Sequence, residues 1–115
     1  MPATKQRVGF IGIGAMGTPM SENILKAGFP LTVYDRVPER TQAFAARGVT
    51  IAASCAEVAG MSDVVITMIG QVAEELEAVM GPGGVLEGAH PGLTLIDSST
   101  VGIVATKTLR WMRSP

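Results

Sequence analysis

Three glycines in the order Gly-x-Gly-x-x-Gly, between Gly12 and Gly17, restrict the possible folds of this chain more than any other segment. The residues before them, which include Val8 and Phe10, form a short β-branched and aromatic run that is typical of a buried strand. The residues after them have helical spacing, and we expect an apolar helix face made of Met16, Met20, Ile24 and Ala27. A strand, a glycine turn and a helix in this order predict a dinucleotide-binding site.

Each glycine of the motif has a separate physical role in such a site. Gly12 lets the backbone turn tightly, Gly14 lets a pyrophosphate approach the main chain, and Gly17 lets the helix pack closely on the sheet. Free N–H groups and the positive end of the dipole at the helix N-terminus then face the phosphates. A plain glycine-rich turn is the alternative, but Asp35 ends a second strand at the distance expected of an acid that binds ribose.

The apolar pattern along the rest of the chain predicts five strands, near residues 8–13, 31–35, 49–51, 63–69 and 93–97. Further helices are expected over 39–47, 54–59 and 71–80 and from about residue 103, with a loop or short helical piece over 85–91. This alternation predicts a Rossmann-type α/β fold, a doubly wound parallel sheet with strand order 3-2-1-4-5. That order brings Gly12, Met68 and Thr100 to one rim of the sheet.

Composition and charge exclude several classes of protein. The chain has 115 residues, enough for one domain, and its 47% hydrophobic content is sufficient for a buried core. A net charge of −1 with no basic run argues against nucleic acid and anionic membranes as partners. Cys55 is the single cysteine, and neither a signal peptide nor a membrane-spanning segment is recognisable, so we expect a cytoplasmic protein.

A few other residues could carry chemistry, but a structural role is the simpler interpretation of each. Cys55 lies in the first turn of a helix that a capping box opens, and we interpret it as a small apolar filler rather than a reactive thiol. His90, the single histidine, is expected to be exposed in a polar loop. Glu74, Glu75 and Glu77 are expected on the solvated face of their helix, opposite an apolar face of Val72, Leu76, Val79 and Met80.

Three hydroxyl residues, Ser98, Ser99 and Thr100, follow the fifth strand at its carboxyl end. Ligands of open parallel sheets bind in the crevice beyond the carboxyl ends of the strands. We therefore interpret Ser99 and Thr100 as candidates to hydrogen-bond a substrate or the nicotinamide ribose. The alternative is that these hydroxyls cap the next helix.

Three segments together resemble the β-hydroxyacid dehydrogenase family, which includes 6-phosphogluconate dehydrogenase. They are Gly9 to Gly17 with the following Met20, Asn23 and Lys26-Ala27-Gly28, then Asp63 to Ile69, and Asp97 to Val101. The resemblance extends in register over nearly the whole chain. The Gly-x-Gly-x-Met-Gly form of the motif is also more specific than the bare glycine pattern.

The resemblance implies a cofactor site with defined parts. The residues expected to cradle the pyrophosphate are Gly12, Ile13, Gly14, Ala15, Met16 and Gly17. Asp35 and Arg36 are expected to meet the adenine ribose, where the carboxylate favours NAD and the guanidinium favours NADP. NAD is the expected cofactor and NADP the alternative. Met68 and Ile69 are expected to line the cofactor, and Thr100 to lie near the nicotinamide and the substrate.

The resemblance further implies an activity and a second domain. The family oxidises the CH–OH group of small β-hydroxy acids or reduces the matching semialdehydes, and it carries a catalytic lysine in a helical C-terminal domain. We expect residues 1–115 to be the dinucleotide-binding domain alone, without catalytic competence, and any homo-oligomer to form through the missing domain. Two smaller departures are Gly70, where a proline is usual, and Val101-Gly102, where a small polar residue and a proline are usual.

Two other functions remain open at this point. One is a stand-alone module that binds and senses a dinucleotide without catalysis. The other is a methyltransferase, whose glycine loop also follows a first strand, although Gly17 at the third position of the motif suits a diphosphate better than S-adenosylmethionine.

Overall fold

A parallel sheet is the centre of the computed structural model, which describes residues 6–97. Within these residues the strands are β1 (Val8–Ile11), β2 (Leu31–Tyr34), β3 (Thr50–Ile51), β4 (Val64–Thr67) and β5 (Thr94–Asp97). Their order is β3-β2-β1-β4-β5, so the predicted topology is confirmed. In the central strand, Val8 pairs with Leu31 of β2 on one side and with Val64 of β4 on the other. The switch point predicted between the first and fourth strands is therefore present.

Helices cover both faces of the sheet. They are α1 (Gly17–Lys26), α2 (Gln42–Ala45), α3 (Cys55–Gly60), α4 (Val72–Met80) and α5 (Val85–Gly88). Phe10, Val33 and Phe44 are completely buried in one apolar layer of the core, and Val58, Val65 and Val85 are completely buried in the other. No helix between residues 6 and 97 combines the length and apolarity that crossing a bilayer requires.

The single helix predicted over residues 39–47 is wrong. The segment is instead a 3₁₀ turn, Pro38–Arg40, followed by the four residues of α2. Thr41 lies between them, almost fully buried, and its hydroxyl donates a hydrogen bond of 2.8 Å to the Pro38 carbonyl. The Thr41 N–H donates to the same carbonyl at 3.1 Å, so the backbone bonds of this segment join residues three apart, as in a 3₁₀ turn rather than an α-helix.

The face on which α1 packs agrees with the predicted one at Met20 and Ile24 but not at Met16 and Ala27. Met16 precedes the helix and is 65% exposed, and Ala27 is exposed after its last residue. The buried residues of α1 are instead Gly17 and Ser21, with Met20 and Ile24 partly buried beside them. Two small residues four positions apart allow α1 to lie close to the sheet, and this close approach determines which face is buried.

The predicted packing face of α4 is correct at Val79 and wrong at Leu76, Met80 and Glu75. Leu76 is 37% exposed, whereas Glu75, predicted to be solvated, has no exposed surface. The inward row consists of Glu75 and Val79, with Ala78 packed against the same core. The buried row includes a charged residue, whereas Leu76 belongs to a more apolar row, so hydrophobic periodicity favours a face that the tertiary packing leaves partly exposed.

His90 has a structural role rather than the exposed position predicted for it. Its ring is partly buried, and Nε2 lies 2.8 Å from the Ser62 carbonyl oxygen. The residue precedes β5, at the edge of the sheet opposite the carboxyl ends of the strands.

Candidate functional site

The glycine loop connects β1 to α1 at the carboxyl edge of the sheet. Gly12 has a φ of +102°, which favours glycine, and a Cβ at this position would collide with the Met68 carbonyl oxygen. A Cβ at Gly17 would collide with the Gly12 carbonyl oxygen and would lie 3.1 Å from the Phe10 ring. The tight turn at Gly12 and the close approach at Gly17 are therefore confirmed.

Gly14 differs from the other two glycines of the motif. A Cβ here would have no atom within 4 Å among the described residues, so the backbone of Gly14 faces open space. The N-terminus of α1 follows it, and no side chain caps that terminus at Met16. The Thr18 N–H donates to the Gly14 carbonyl at 2.9 Å and Pro19 has no N–H, so the N–H groups placed to meet phosphate oxygens are those of the turn from Ala15 to Gly17.

Asp35, the residue directly after β2, is fixed by hydrogen bonds to two backbone groups. It is only 7% exposed. Its Oδ2 accepts a hydrogen bond of 2.8 Å from the Ile13 N–H, and its Oδ1 accepts one of 2.8 Å from the Val37 N–H. The Arg40 guanidinium lies 3.6 Å from Oδ1. The carboxylate thus joins the end of β2 to the glycine loop. This role was not predicted, because the number of residues between the glycine motif and Asp35 does not indicate a hydrogen bond to Ile13.

Arg36 lies on the exposed side of the same rim. Its Nη2 donates a hydrogen bond of 2.9 Å to Oε1 of Glu74, in the first turn of α4. This ion pair connects the segment after β2 with the helix after β4. The sequence predicted Arg36 as a site residue but gave no sign of Glu74 as its partner, because the two are 38 positions apart.

These elements enclose a cleft of about 430 Å³ at the carboxyl edge of the sheet. Predicted cofactor-binding residues that line it are Gly12, Gly14, Asp35, Arg36, Met68 and Ile69. The other predicted loop residues lie outside the lining. Ile13 is buried in the core, Gly17 begins α1, and Ala15 and Met16 are exposed. Ser99 and Thr100 lie outside the described residues. The volume is within the range usual for small-molecule sites.

Cys55 forms part of the cleft wall, and the sequence analysis had not placed it there. Burial, reinforced by the nearby Glu75 carboxylate, raises the pKa of the Cys55 thiol to about 11. Burial also raises the pKa of Tyr34, another lining residue, with Cys55 and Asp35 contributing. The thiol is therefore protonated at neutral pH and unsuited to nucleophilic attack, which confirms its interpretation as an apolar filler.

Comparison with known proteins gives a consistent result. Residues 7–111 match the family model described as the NAD binding domain of 6-phosphogluconate dehydrogenase. The mitochondrial 3-hydroxyisobutyrate dehydrogenase of Bos taurus is 41% identical over 107 residues, which are 93% of this chain and 32% of the relative. The cytokine-like nuclear factor N-PAC of Danio rerio is 36% identical over 98 residues, 85% of this chain and 21% of that protein.

A solved structure agrees with these sequence matches. The 3-hydroxyisobutyrate dehydrogenase of Mycobacterium tuberculosis, solved with L-serine, superposes with a TM-score of 0.75 at 32% identity. The match covers 94% of this chain and 36% of that one. The chain thus spans about a third of the length of the dehydrogenases that it matches.

Proposed function

Because the chain belongs to the family of 6-phosphogluconate dehydrogenase NAD-binding domains, we propose that it is the cofactor-binding part of an oxidoreductase. The reaction is the oxidation of the CH–OH group of a small β-hydroxy acid, or the reduction of the matching semialdehyde. Similarity to two 3-hydroxyisobutyrate dehydrogenases supports this substrate class. The observation that carries the proposal is the open backbone face of Gly14, next to the uncapped N-terminus of α1 and within the cleft.

The described residues suit a dinucleotide. Gly12 and Gly14 accommodate the pyrophosphate, and the N–H groups at the start of α1 bind its oxygens. Asp35 has acceptor capacity left after its two backbone hydrogen bonds, because a carboxylate offers about four lone-pair sites, and it accepts from the ribose 2′-OH. Met68 and Ile69 supply apolar contact. When bound, the nicotinamide gives or takes the hydride of the reaction.

NAD is the proposed cofactor, and NADP is the alternative. The negative charge of Asp35 disfavours a 2′-phosphate at the ribose, whereas Arg36 favours one. Ser99 and Thr100 remain our candidates for contact with the substrate. We place the protein in the cytoplasm because a single cysteine suits a reducing compartment.

The remaining proposals concern the whole enzyme. The proton donor or acceptor at the substrate oxygen is a lysine of a second, helical domain of the whole enzyme, as the family resemblance implies. The chain alone therefore binds cofactor without turnover, and a homo-oligomer forms through the helical domain.

A second candidate function is a dinucleotide-binding module without catalysis. It is favoured by the similarity to N-PAC, which is named a nuclear factor rather than an enzyme. The turnover of a longer protein that contains this domain would separate the two functions.

Calorimetric titration of the 115-residue chain with NADH, NADPH and S-adenosylmethionine tests the proposal. We expect both reduced dinucleotides to bind, NADH more tightly, and S-adenosylmethionine not to bind. Preferential binding of S-adenosylmethionine would refute the proposal in favour of a methyltransferase.

A further inference from the structure

The rim of the cleft near the end of β2 has carboxylates facing both of its arginines. Arg36 is paired with Glu74 at 2.9 Å, and Arg40 lies 3.6 Å from the carboxylate of Asp35. Glu77 also lines the cleft. The charged side chains of the described lining are therefore two arginines and three acidic residues, so this rim has no surplus positive charge.

This balance of charges matters most at the 2′ position of the adenosine ribose, where NADP carries a phosphate and NAD carries a hydroxyl. A 2′-phosphate is recognised by guanidinium groups that are available to form charge-assisted hydrogen bonds. The Nη2 of Arg36 donates to Glu74, and the Glu74 carboxylate offsets the positive charge of the guanidinium, so a phosphate at this position meets a partly neutralised arginine and a nearby negative charge. A ribose with a free 2′-OH requires no such exchange.

The pair is positioned to act on ligand choice rather than on folding. Both side chains are substantially exposed, 72% for Arg36 and 38% for Glu74, and exposed ion pairs contribute little to stability. The two residues also belong to different elements that line the cleft, the segment after β2 and helix α4. A ligand that fills this part of the cleft therefore lies close to the pair.

We propose that Glu74 is a specificity-determining residue, which favours NAD over NADP by holding the guanidinium of Arg36. This inference rests on the proposed function, since it presupposes that the cleft binds the adenosine half of a dinucleotide. It adds a residue on α4 to the ribose-recognition site, which the sequence had located only at the end of β2.

The test compares NADPH and NADH affinities by calorimetric titration of Glu74→Gln. The substitution keeps the size of the side chain and removes its charge, and we expect the ratio of NADPH to NADH affinity to rise roughly 3- to 10-fold. Glu22→Gln is the matched control, because Glu22 also pairs with an arginine, Arg47, and neither residue lines the cleft. Its affinity ratio should stay within about twofold of the unsubstituted chain.

A second comparison asks whether Glu74 acts through Arg36. In an Arg36→Gln background, Glu74→Gln should change the ratio less than about twofold, because the guanidinium that it controls is gone. An unchanged ratio in the single variant, or an equal rise in both backgrounds, overturns the inference and leaves the proposed function standing. If neither dinucleotide binds the unsubstituted chain, the proposed function fails and the inference fails with it.

Discussion

Asp35 connects two segments of the site that are 22 residues apart in sequence. Sequence spacing identifies it as a ribose-binding acid, and its place at the end of β2 agrees with that interpretation. The structure adds that both of its oxygens accept backbone hydrogen bonds. Spacing could not have predicted this, because the Ile13 N–H reaches Asp35 only once the loop and strand are placed together in the fold.

We predict that Asp35→Asn lowers the free energy of unfolding by about 1–3 kcal/mol, because the amide keeps only one acceptor oxygen for the buried Ile13 N–H and the partly buried Val37 N–H. Urea denaturation of the chain without ligand measures this loss. Asp63→Asn is a suitable comparison, since Asp63 also accepts from a backbone N–H, that of Arg7, but at an exposed site. The loss at Asp63 should be clearly smaller, and equal losses would contradict the role assigned to Asp35.

Gly14 allows the phosphate role to be tested apart from folding. We predict that Gly14→Ala leaves the unfolding free energy almost unchanged but weakens NADH binding by about 1–3 kcal/mol, because the new methyl group occupies space needed by the pyrophosphate. Calorimetric titration and thermal unfolding measure the two quantities. Gly60→Ala is the control: a Cβ there has only an ordinary contact, 3.9 Å from the Gly88 carbonyl oxygen, and lies outside the cleft. Undiminished binding by the folded Gly14 variant would refute the phosphate role.

We predict that Cys55 makes the free energy of unfolding depend on pH in alkaline solution. Its pKa is raised from the usual 9.0 to about 11 in the folded chain, so the unfolded chain loses the thiol proton first. The contribution of the Cys55 thiol to the free energy of unfolding is fully present below pH 9. It falls by on the order of 2 kcal/mol as the pH rises towards 11. Urea denaturation at about pH 8 and about pH 11 should show this component in the unsubstituted chain and not in Cys55→Ala. The same decline in both proteins would contradict this assignment.

Among the secondary-structure elements, α3 and α4 show where sequence patterns succeed and fail. The Ser54 cap predicted at α3 is confirmed, because the Ser54 hydroxyl accepts from the Glu57 N–H. The Glu57 carboxylate accepts from the Ala53 N–H, one residue before the N-cap, rather than from the Ser54 N–H of a regular capping box. Local chemistry of this kind is encoded within four residues. The packing face of α4 depends on distant partners, and the burial of Glu75 was therefore not predictable.

The Ser54 cap should contribute measurably to stability. We predict that Ser54→Ala lowers the unfolding free energy by about 0.5–2 kcal/mol, since the Glu57 N–H loses its acceptor. Ser54→Asp, which restores an acceptor oxygen at the same position, should recover most of this loss in thermal unfolding. Equal destabilisation by both substitutions would mean that the cap does not stabilise α3.

At the scale of the whole molecule, the glycine motif and the alternation of strands and helices were enough to predict the sheet order. Each crossover is short and right-handed crossovers dominate, so few topologies are compatible with the pattern. The rim of the cleft was less predictable, because the Arg36–Glu74 pair depends on how two separate walls are placed. The predicted roles of Ser99 and Thr100 remain predictions, since both residues lie outside the described part of the chain.

We predict that the 115-residue chain binds NADH but does not reduce small semialdehydes in a single-turnover assay. In the whole enzyme that we propose, the acid–base group and the residues that position the substrate belong to a second, helical domain. Without an acid–base group the rate is typically lower by roughly 10²–10⁴-fold, and without correct positioning of the substrate it is lower still. Lys26, the last residue of α1, and His90, before β5, both lie away from the carboxyl edge of the sheet. Substrate-dependent loss of NADH absorbance at a rate typical of dehydrogenases would overturn this prediction.

The hydrogen bond between Asp35 and the Ile13 N–H restricts how such a site can change cofactor during evolution or engineering. A substitution at position 35 that alters ribose recognition also releases the glycine loop, so altered preference there comes with weaker binding of either dinucleotide. Arg36 and Glu74 are exposed, and their ion pair does not hold the glycine loop in place. We therefore expect a change in the preference between NAD and NADP to begin with substitutions of Arg36 and Glu74. Position 35 should change only after another residue has come to hydrogen-bond the glycine loop.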